Sequence, residues 1–193
     1  MTESNLLPAE IQTERLLIRV AKPGDGIVFN QAVAESAEHL QKWLAWATPA
    51  PGIDQSELIC RHAYARFLLN EDLRALLFLK NNGALVGSSG LHNANWDLRS
   101  FEVGYWGRTQ YLGAGLISEG VAALVSYALD NLMANRVFLT MDERNLTSQR
   151  LAERVGFEYE GTLRQDRMSI QGGLRNTRIY SIIGKTKKGQ PLG

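Results

Sequence analysis

Polar and apolar residues alternate from Arg15 to Val20, the period-two pattern of a half-buried strand, after a turn-prone Thr13-Glu14 and before Lys22-Pro23-Gly24-Asp25. Asp25 is placed to cap a short helix through Ala34. A second helical stretch is expected from Ala37 to Ala47, with Leu40, Trp43, Leu44 and Ala47 on one face, until Pro49 to Gly52 break it. A third follows over Asp54 to Leu69, where Leu58, Ala63, Ala65 and Leu68 stand among polar residues. From Arg74 the texture changes to three strand-like runs, Arg74 to Lys80, Ala84 to Leu91 and Ser100 to Trp106. Their links, Asn81-Asn82-Gly83 and Asn93 to Asp97, are short and turn-rich, which joins antiparallel neighbours. A helix is then expected from Leu116 to about Leu132, because Ile117, Val121, Leu124, Val125 and Ala128 form one apolar stripe. Arg136 to Met141 reads as a strand and Asn145 to Val155 as a helix stopped by Gly156. Phe157 to Arg164 and Thr177 to Lys185 complete the strands.

This order implies an α/β (α+β) fold, with a mixed central sheet of about seven strands and helices on both faces. With 193 residues, 45% of them hydrophobic, and no repeat or linker, one domain spanning residues 1–193 is expected. Residues 1–12 and 186–193 read as peripheral tails, frayed from Lys185 onward. The charges nearly cancel, 21 Lys plus Arg against 20 Asp plus Glu, which argues against a nucleic-acid partner. Cys60 alone forms no internal disulfide and fits a reducing compartment. Inside a helix pattern it reads as buried, not nucleophilic. Met1 to Glu10 lacks a basic segment leading into an apolar core, and no apolar run reaches membrane-spanning length, so a soluble cytoplasmic protein without a membrane partner is expected. His39, His62 and His92 lack metal-ligand spacing and read as surface or packing residues, with no metal expected. Trp43, Trp46 and Tyr64 fit either an acceptor pocket or a core.

The chemistry concentrates at Gln110-Tyr111-Leu112-Gly113-Ala114-Gly115, between a strand and a helix. Glycines there let a ligand approach the backbone, and the unpaired first-turn N–H groups and helix dipole favour an anion. Three readings meet this segment. It can be a tight connection only, or a dinucleotide turn, since Gly113 to Ser118 approximates G-x-G-x-x-G/A and Asp142 follows the next strand. The meander before it and the delayed start after Trp106 count against the dinucleotide, and no Gly-Lys-Ser/Thr follows to make a P-loop. In the third reading Gln110-x-x-Gly113-x-Gly115 resembles the Q/R-x-x-G-x-G/A motif of the GNAT superfamily of N-acetyltransferases. Phe101-Glu102-Val103-Gly104-Tyr105-Trp106 upstream, Asn145-Leu146-Thr147-Ser148, Gly156-Phe157 and Glu160-Gly161 downstream, and Trp43 to Trp46 are similar to the RimJ/RimL subfamily over roughly Thr13 to Ile183.

The resemblance implies a GNAT fold and direct acetyl transfer from acetyl-CoA to a primary amine, such as the α-amine of a protein or peptide, and it leaves room for a homodimer. Gln110, Tyr111, Leu112, Gly113, Ala114 and Gly115 would hold the pyrophosphate, with Arg108 as a charge partner or a solvated loop arginine. The strand carrying Val103 and Tyr105 would pair with the pantetheine arm. Asn145 would contact the cofactor, and Ser148 would reach its sulfur and reprotonate the thiolate, although both types also suit a helix N-terminus. Strand alternation sets Glu102 opposite Phe101, Val103 and Tyr105, looking into the space beside the cofactor as a general base, an ammonium ligand or an ordinary outward-facing glutamate. Where RimL-type enzymes carry a glutamate this chain has Arg167, with Asp166 beside it: either Asp166 takes over as base, or Glu102 is the base, or the amine arrives deprotonated. Two other functions stay open. One is acetylation of a small amine (polyamine, antibiotic or amino-acid derivative). The other is a non-catalytic acyl-CoA sensor, which needs the loop but neither Glu102 nor Ser148.

Overall fold

The computed structural model describes residues 6 to 184. Its elements are β1 (Glu10–Gln12), β2 (Leu16–Val20), α1 (Gly26–Glu35), α2 (Ala37–Leu40), α3 (Ile53–Leu68), β3 (Leu73–Leu79), β4 (Leu85–Asn95), β5 (Ser100–Gly107), α4 (Leu116–Asp130), β6 (Arg136–Asp142), α5 (Leu146–Val155), β7 (Glu158–Met168) and β8 (Leu174–Ile183). The strands form one sheet in the order β1-β2-β3-β4-β5-β6-β8-β7. Every neighbouring pair is antiparallel except β5 with β6.

Alternation along β3 shows how the sheet serves two cores. Ala75 and Leu77 pack with the α4 stripe, whereas Leu76 and Phe78 pack with Phe29, Ala32 and Val33 of α1 and with Cys60 and Ala63 of α3. The stripe of α4 is buried throughout, each large aliphatic side chain contributing roughly 1.5–3 kcal/mol. Gly120 lets this helix lie close, since a Cβ there would stand 2.0 Å from Leu77 Cδ2.

Several expectations change. The sheet has eight strands instead of about seven, because residues 10–12, read as tail, form an edge strand on β2. Three residues are too few to show a period. The helix expected over Ala37 to Ala47 ends at Leu40; Leu44 is extended (φ −119°, ψ 106°) and a 3₁₀ turn takes Ala45–Ala47. Asp25 occupies the N-cap position of α1 without capping it, since its carboxylate accepts from the Arg19 guanidinium (2.7 and 2.8 Å) and the Lys22 amide. The last hairpin is longer than its pattern suggested, with β7 running to Met168 and β8 starting at Leu174. Lys185 and the tail beyond it lie outside the described residues. No helix among the described residues is long and apolar enough to cross a membrane.

Candidate active site

The cleft begins where two strands part. Strand β5 pairs with β4 from Gly87↔Gly107 to His92↔Glu102, but with β6 only at Ser100↔Arg136, Phe101↔Val137 and Glu102↔Phe138. Beyond Glu102 the parallel pair splays, and Val103 to Gly107 and Leu139 to Asp142 become walls of a cavity of about 310 Å³. One edge of β5 thus presents backbone groups without a neighbouring strand, and such groups need partners when buried. An extended, amide-bearing ligand satisfies them by strand addition. His39, Leu40, Trp43 and Leu44 close the cavity on the α1–α3 side, and Ile117, Thr147, Ser148 and Leu151 on the α4–α5 side. Trp106, which also lines it, has a buried Nε1 without a hydrogen-bond partner among the described residues.

At the cavity's end lies the glycine segment. Thr109–Tyr111 forms a 3₁₀ turn, Gly113 takes φ +84° and Gly115, the N-cap of α4, φ +75°. The first helical bond runs from the Glu119 N–H to the Gly115 carbonyl (3.0 Å), so the amides of Leu116, Ile117 and Ser118 precede it, unpaired by the helix. A Cβ at Gly113 would meet nothing within 4 Å, and one at Gly115 only the tip of Arg15 at 3.7 Å. Packing therefore does not require these glycines. Their positive φ and the open space outside them fit a diphosphate held by backbone N–H groups. Leu112 and Ile117 join this cradle to the cavity.

Arg108 is paired with Glu35, which corrects its reading as a solvated loop arginine, and its guanidinium carbon lies 5.8 Å from the centre of the Tyr111 ring. It is buried, donating to Glu35 (2.6 and 2.8 Å) and to the Leu85 carbonyl (3.2 Å), and its hydrogen bond to Glu35 holds that carboxyl below the usual range. A second cation at the loop is Arg15, whose guanidinium donates to the Ala114 carbonyl (2.9 Å) and to Glu119 (2.6 Å).

Tyr105 and Ser148 meet on the α4–α5 side, their hydroxyl oxygens 2.6 Å apart, and Tyr105 also donates to the Ser148 carbonyl at 3.2 Å. Asn145 is the N-cap of α5, accepting the Ser148 amide at 3.1 Å, which leaves the Ser148 hydroxyl free of capping duty. Burial pushes the Tyr105 phenol up to about 12, with the Ser148 bond opposing. The pair is therefore a protonated reservoir on the cavity wall.

The two carboxylates behave otherwise. Glu102 is on the opposite face of β5, off the cavity wall, and accepts from Thr140 Oγ1 (2.9 Å) and Asn93 Nδ2 (2.8 Å). Asp166 pairs with Arg167 at 3.3 Å, and Arg167 lines the cavity while Asp166 does not. His39 belongs to the wall instead of to surface or packing; burial, with Lys42 nearby, lowers its basicity. Trp43 lines the cavity, but Trp46 packs on Phe29 and Trp106, and Tyr64 on Phe67. Cys60 is fully buried and its thiol is pushed up to about 12, a poor nucleophile. No metal-holding group of His, Cys, Asp and Glu occurs among the described residues. Arg15, Thr140 and Arg175 reach the site from distant segments, and no local motif marks them.

Residues 15–158 match the model of the acetyltransferase (GNAT) domain. The chain is 30% identical over 181 residues to the "Putative ribosomal N-acetyltransferase YdaF" of Bacillus subtilis, covering 92% of this chain and 96% of that protein. It shares the fold of RimL, a ribosomal L7/L12 α-N-protein acetyltransferase solved with coenzyme A, at TM-score 0.84 and 18% identity, over 95% of this chain and 100% of that one. A second solved structure, named a probable acetyltransferase, is 26% identical with TM-score 0.82, over 90% and 96% of the two chains.

Proposed function

The chain belongs to the GNAT acetyltransferase family, and from that premise we propose that its acceptor is the α-amine of a protein or peptide of the ribosomal type. It is an acyl-CoA-dependent N-acetyltransferase with acetyl-CoA as donor. The observation that carries the acceptor is the 30% identity to a relative named for ribosomal acetylation, which extends over 92% of the chain and so includes the early helices that wall the cavity. A cytoplasmic location goes with such an acceptor.

Acetyl-CoA brings an activated acetyl thioester, and transfer forms a C–N bond, breaks a C–S bond and removes two protons from the ammonium form of the amine. The residues present divide this work. Gly113 to Ser118 would hold the diphosphate through backbone amides, and the unpaired edge of β5 at Val103 to Trp106 would take the pantetheine amides, with a β5 N–H for the developing oxyanion. Ser148, backed by Tyr105, would supply the proton for the departing sulfur. The acceptor would enter on the side of His39 and Trp43.

Thiol release from acetyl-CoA with peptides of varied N-terminal residue, beside a polyamine, an aminoglycoside and free amino acids, tests the reading. Faster release with peptides is expected. Release with a small amine alone would replace the acceptor. Acetyl-CoA binding without release to any amine would make the chain a sensor, and thermal stabilisation by NAD alone would overturn the donor.

A further inference from the structure

Resting on the acetyl-transfer reading above, we infer that His92, oriented by Asp72, is the general base that takes the first proton from the acceptor amine. His92 sits on β4 directly opposite Glu102, on the Gly104 and Trp106 face of β5. Its Nδ1 lies 3.0 Å from both carboxylate oxygens of Asp72, while its Nε2 has no hydrogen-bond partner among the described residues. The ring lies over two glycines. A Cβ at Gly90 would stand 2.7 Å from Nε2, and one at Gly104 3.2 Å from it. Gly104 is itself part of the cavity wall, at the strand whose free edge meets the pantetheine. Two missing side chains thus make a seat that holds an imidazole nitrogen against the stretch of β5 that lines the cavity.

The pairing fixes the ring chemically. Asp72 is buried, which would raise its carboxyl, but the His92 bond and the charges of His92, Arg66 and Arg74 hold it below the usual range. An ionised carboxylate at Nδ1 selects the tautomer with hydrogen there and leaves the Nε2 lone pair as acceptor. The charged groups around the dyad are Arg66 of α3, 3.5 Å from Asp72 and also paired with Glu71, Arg74 of β3, and Glu102 across on β5. The other candidates are engaged or unoriented: Glu102 already accepts two hydrogen bonds, Asp166 is paired with Arg167, and His39 has no orienting partner among the described residues. In the step, Nε2 takes one proton from the ammonium, and the freed nitrogen pair attacks the thioester carbon. As the C–S bond breaks, the sulfur gains a proton from the Ser148 hydroxyl, and the second nitrogen proton passes to the Ser148 oxygen, which restores the hydroxyl. The first proton leaves His92 to solvent.

The test joins kinetics to a spectroscopic measurement that needs no turnover. In ¹⁵N-labelled protein the neutral His92 ring is expected to carry hydrogen on Nδ1 and a bare lone pair on Nε2. The acid limb of kcat/KM for a serine-starting peptide should follow the protonation of that ring. His92→Asn keeps a donor for Asp72 but no base, and should lower kcat/KM about 100-fold or more, with the thermal shift on adding acetyl-CoA retained. Imidazole in the buffer should restore part of the rate to His92→Ala. Asp72→Asn should displace the acid limb downward, an effect that a packing role would not give. An Nε2–H tautomer, an acid limb that survives in His92→Asn, or a limb abolished instead by Glu102→Gln or His39→Gln overturns the assignment. If wild-type protein acetylates only small amines, the peptide acceptor fails, and the same profile read with that amine still judges His92.

Discussion

Ser148→Ala separates proton donation from cofactor binding. The variant removes the hydroxyl 2.6 Å from that of Tyr105 but leaves the Ser148 carbonyl, at 3.2 Å, as an acceptor for the phenol. The cap of α5 also survives, because Asn145 accepts the backbone amide of residue 148. One neutral hydrogen bond is therefore lost without orphaning its partner, worth about 0.5–1.5 kcal/mol. For a chain of this size that is a fall in Tm of roughly 1–6 °C. The effect on turnover is larger, about 10²-fold or more in kcat for a positioned proton donor. Neither the glycine segment nor the β5 edge is touched, so calorimetry should show the acetyl-CoA Kd within about threefold of wild type, well under 1 kcal/mol. Tyr105→Phe should act in the same direction but more weakly, since Ser148 remains at the wall. The phenol at about 12 stays protonated over any practical assay range, so neither variant should move the alkaline limb. An unchanged kcat in Ser148→Ala, or equal losses in kcat and affinity, would refute the division of labour.

Four further variants probe the cradle, Arg108, acid stability and the core. Gly113→Val, at φ +84°, should cost roughly 1–3 kcal/mol in backbone strain and also abolish most of the thermal shift with acetyl-CoA, worth about 2.7 kcal/mol at a hundredfold excess over Kd; an intact shift would remove the segment from the cradle. Arg108→Gln should lower stability by about 1–3 kcal/mol in denaturant melts yet keep that shift, because its guanidinium holds Glu35 and Leu85. Glu160 is held down at about 2 by Arg136 and the Ser181 hydroxyl, so its stabilisation is full above its ordinary value of 4.5 and lost as pH falls through about 2. Glu160→Gln should flatten the dependence of Tm on pH across that window. Leu124→Ala, at a fully buried position of α4, should cost about 2–5 kcal/mol in the same melts.

What could be read from the sequence was what is local. The α4 stripe and the short links of the β3-β4-β5 meander announce themselves within a few residues, and so does the glycine segment, whose positive φ values follow from residue type. The edge strand β1 is three residues long, and the end of α2 depends on Leu44 turning extended toward the cavity while its apolar spacing continues to look helical. Side-chain partners were further out of reach. Tyr105 finds Ser148 43 residues on, Arg108 finds Glu35 73 residues back, and His92 finds Asp72 20 residues back. Residue type left Glu102 between a base, an ammonium ligand and an outward-facing glutamate, and Arg108 between a charge partner and a solvated arginine. Thr140 and Asn93 engage the first, and Glu35 and Leu85 the second.

The strand that splays after Glu102 also separates the proposed acid from the proposed base. Along β5 successive side chains alternate, so Tyr105 and the Ser148 it touches stand on one face, while the face of Glu102 and Gly104 carries the His92 ring. The backbone of β5 lies between them and keeps a proton donor and a proton acceptor from neutralising each other by direct contact. In the proposed mechanism the acetyl donor would lie along the free edge of that strand, between the two. This division depends on register, since a slip of one residue would exchange the two faces. Burial of Phe101 and Val103 beneath α4 pins it. On the proposed mechanism, the same two residues that look like ordinary core would set which side of the thioester receives the amine and which side receives the proton for sulfur.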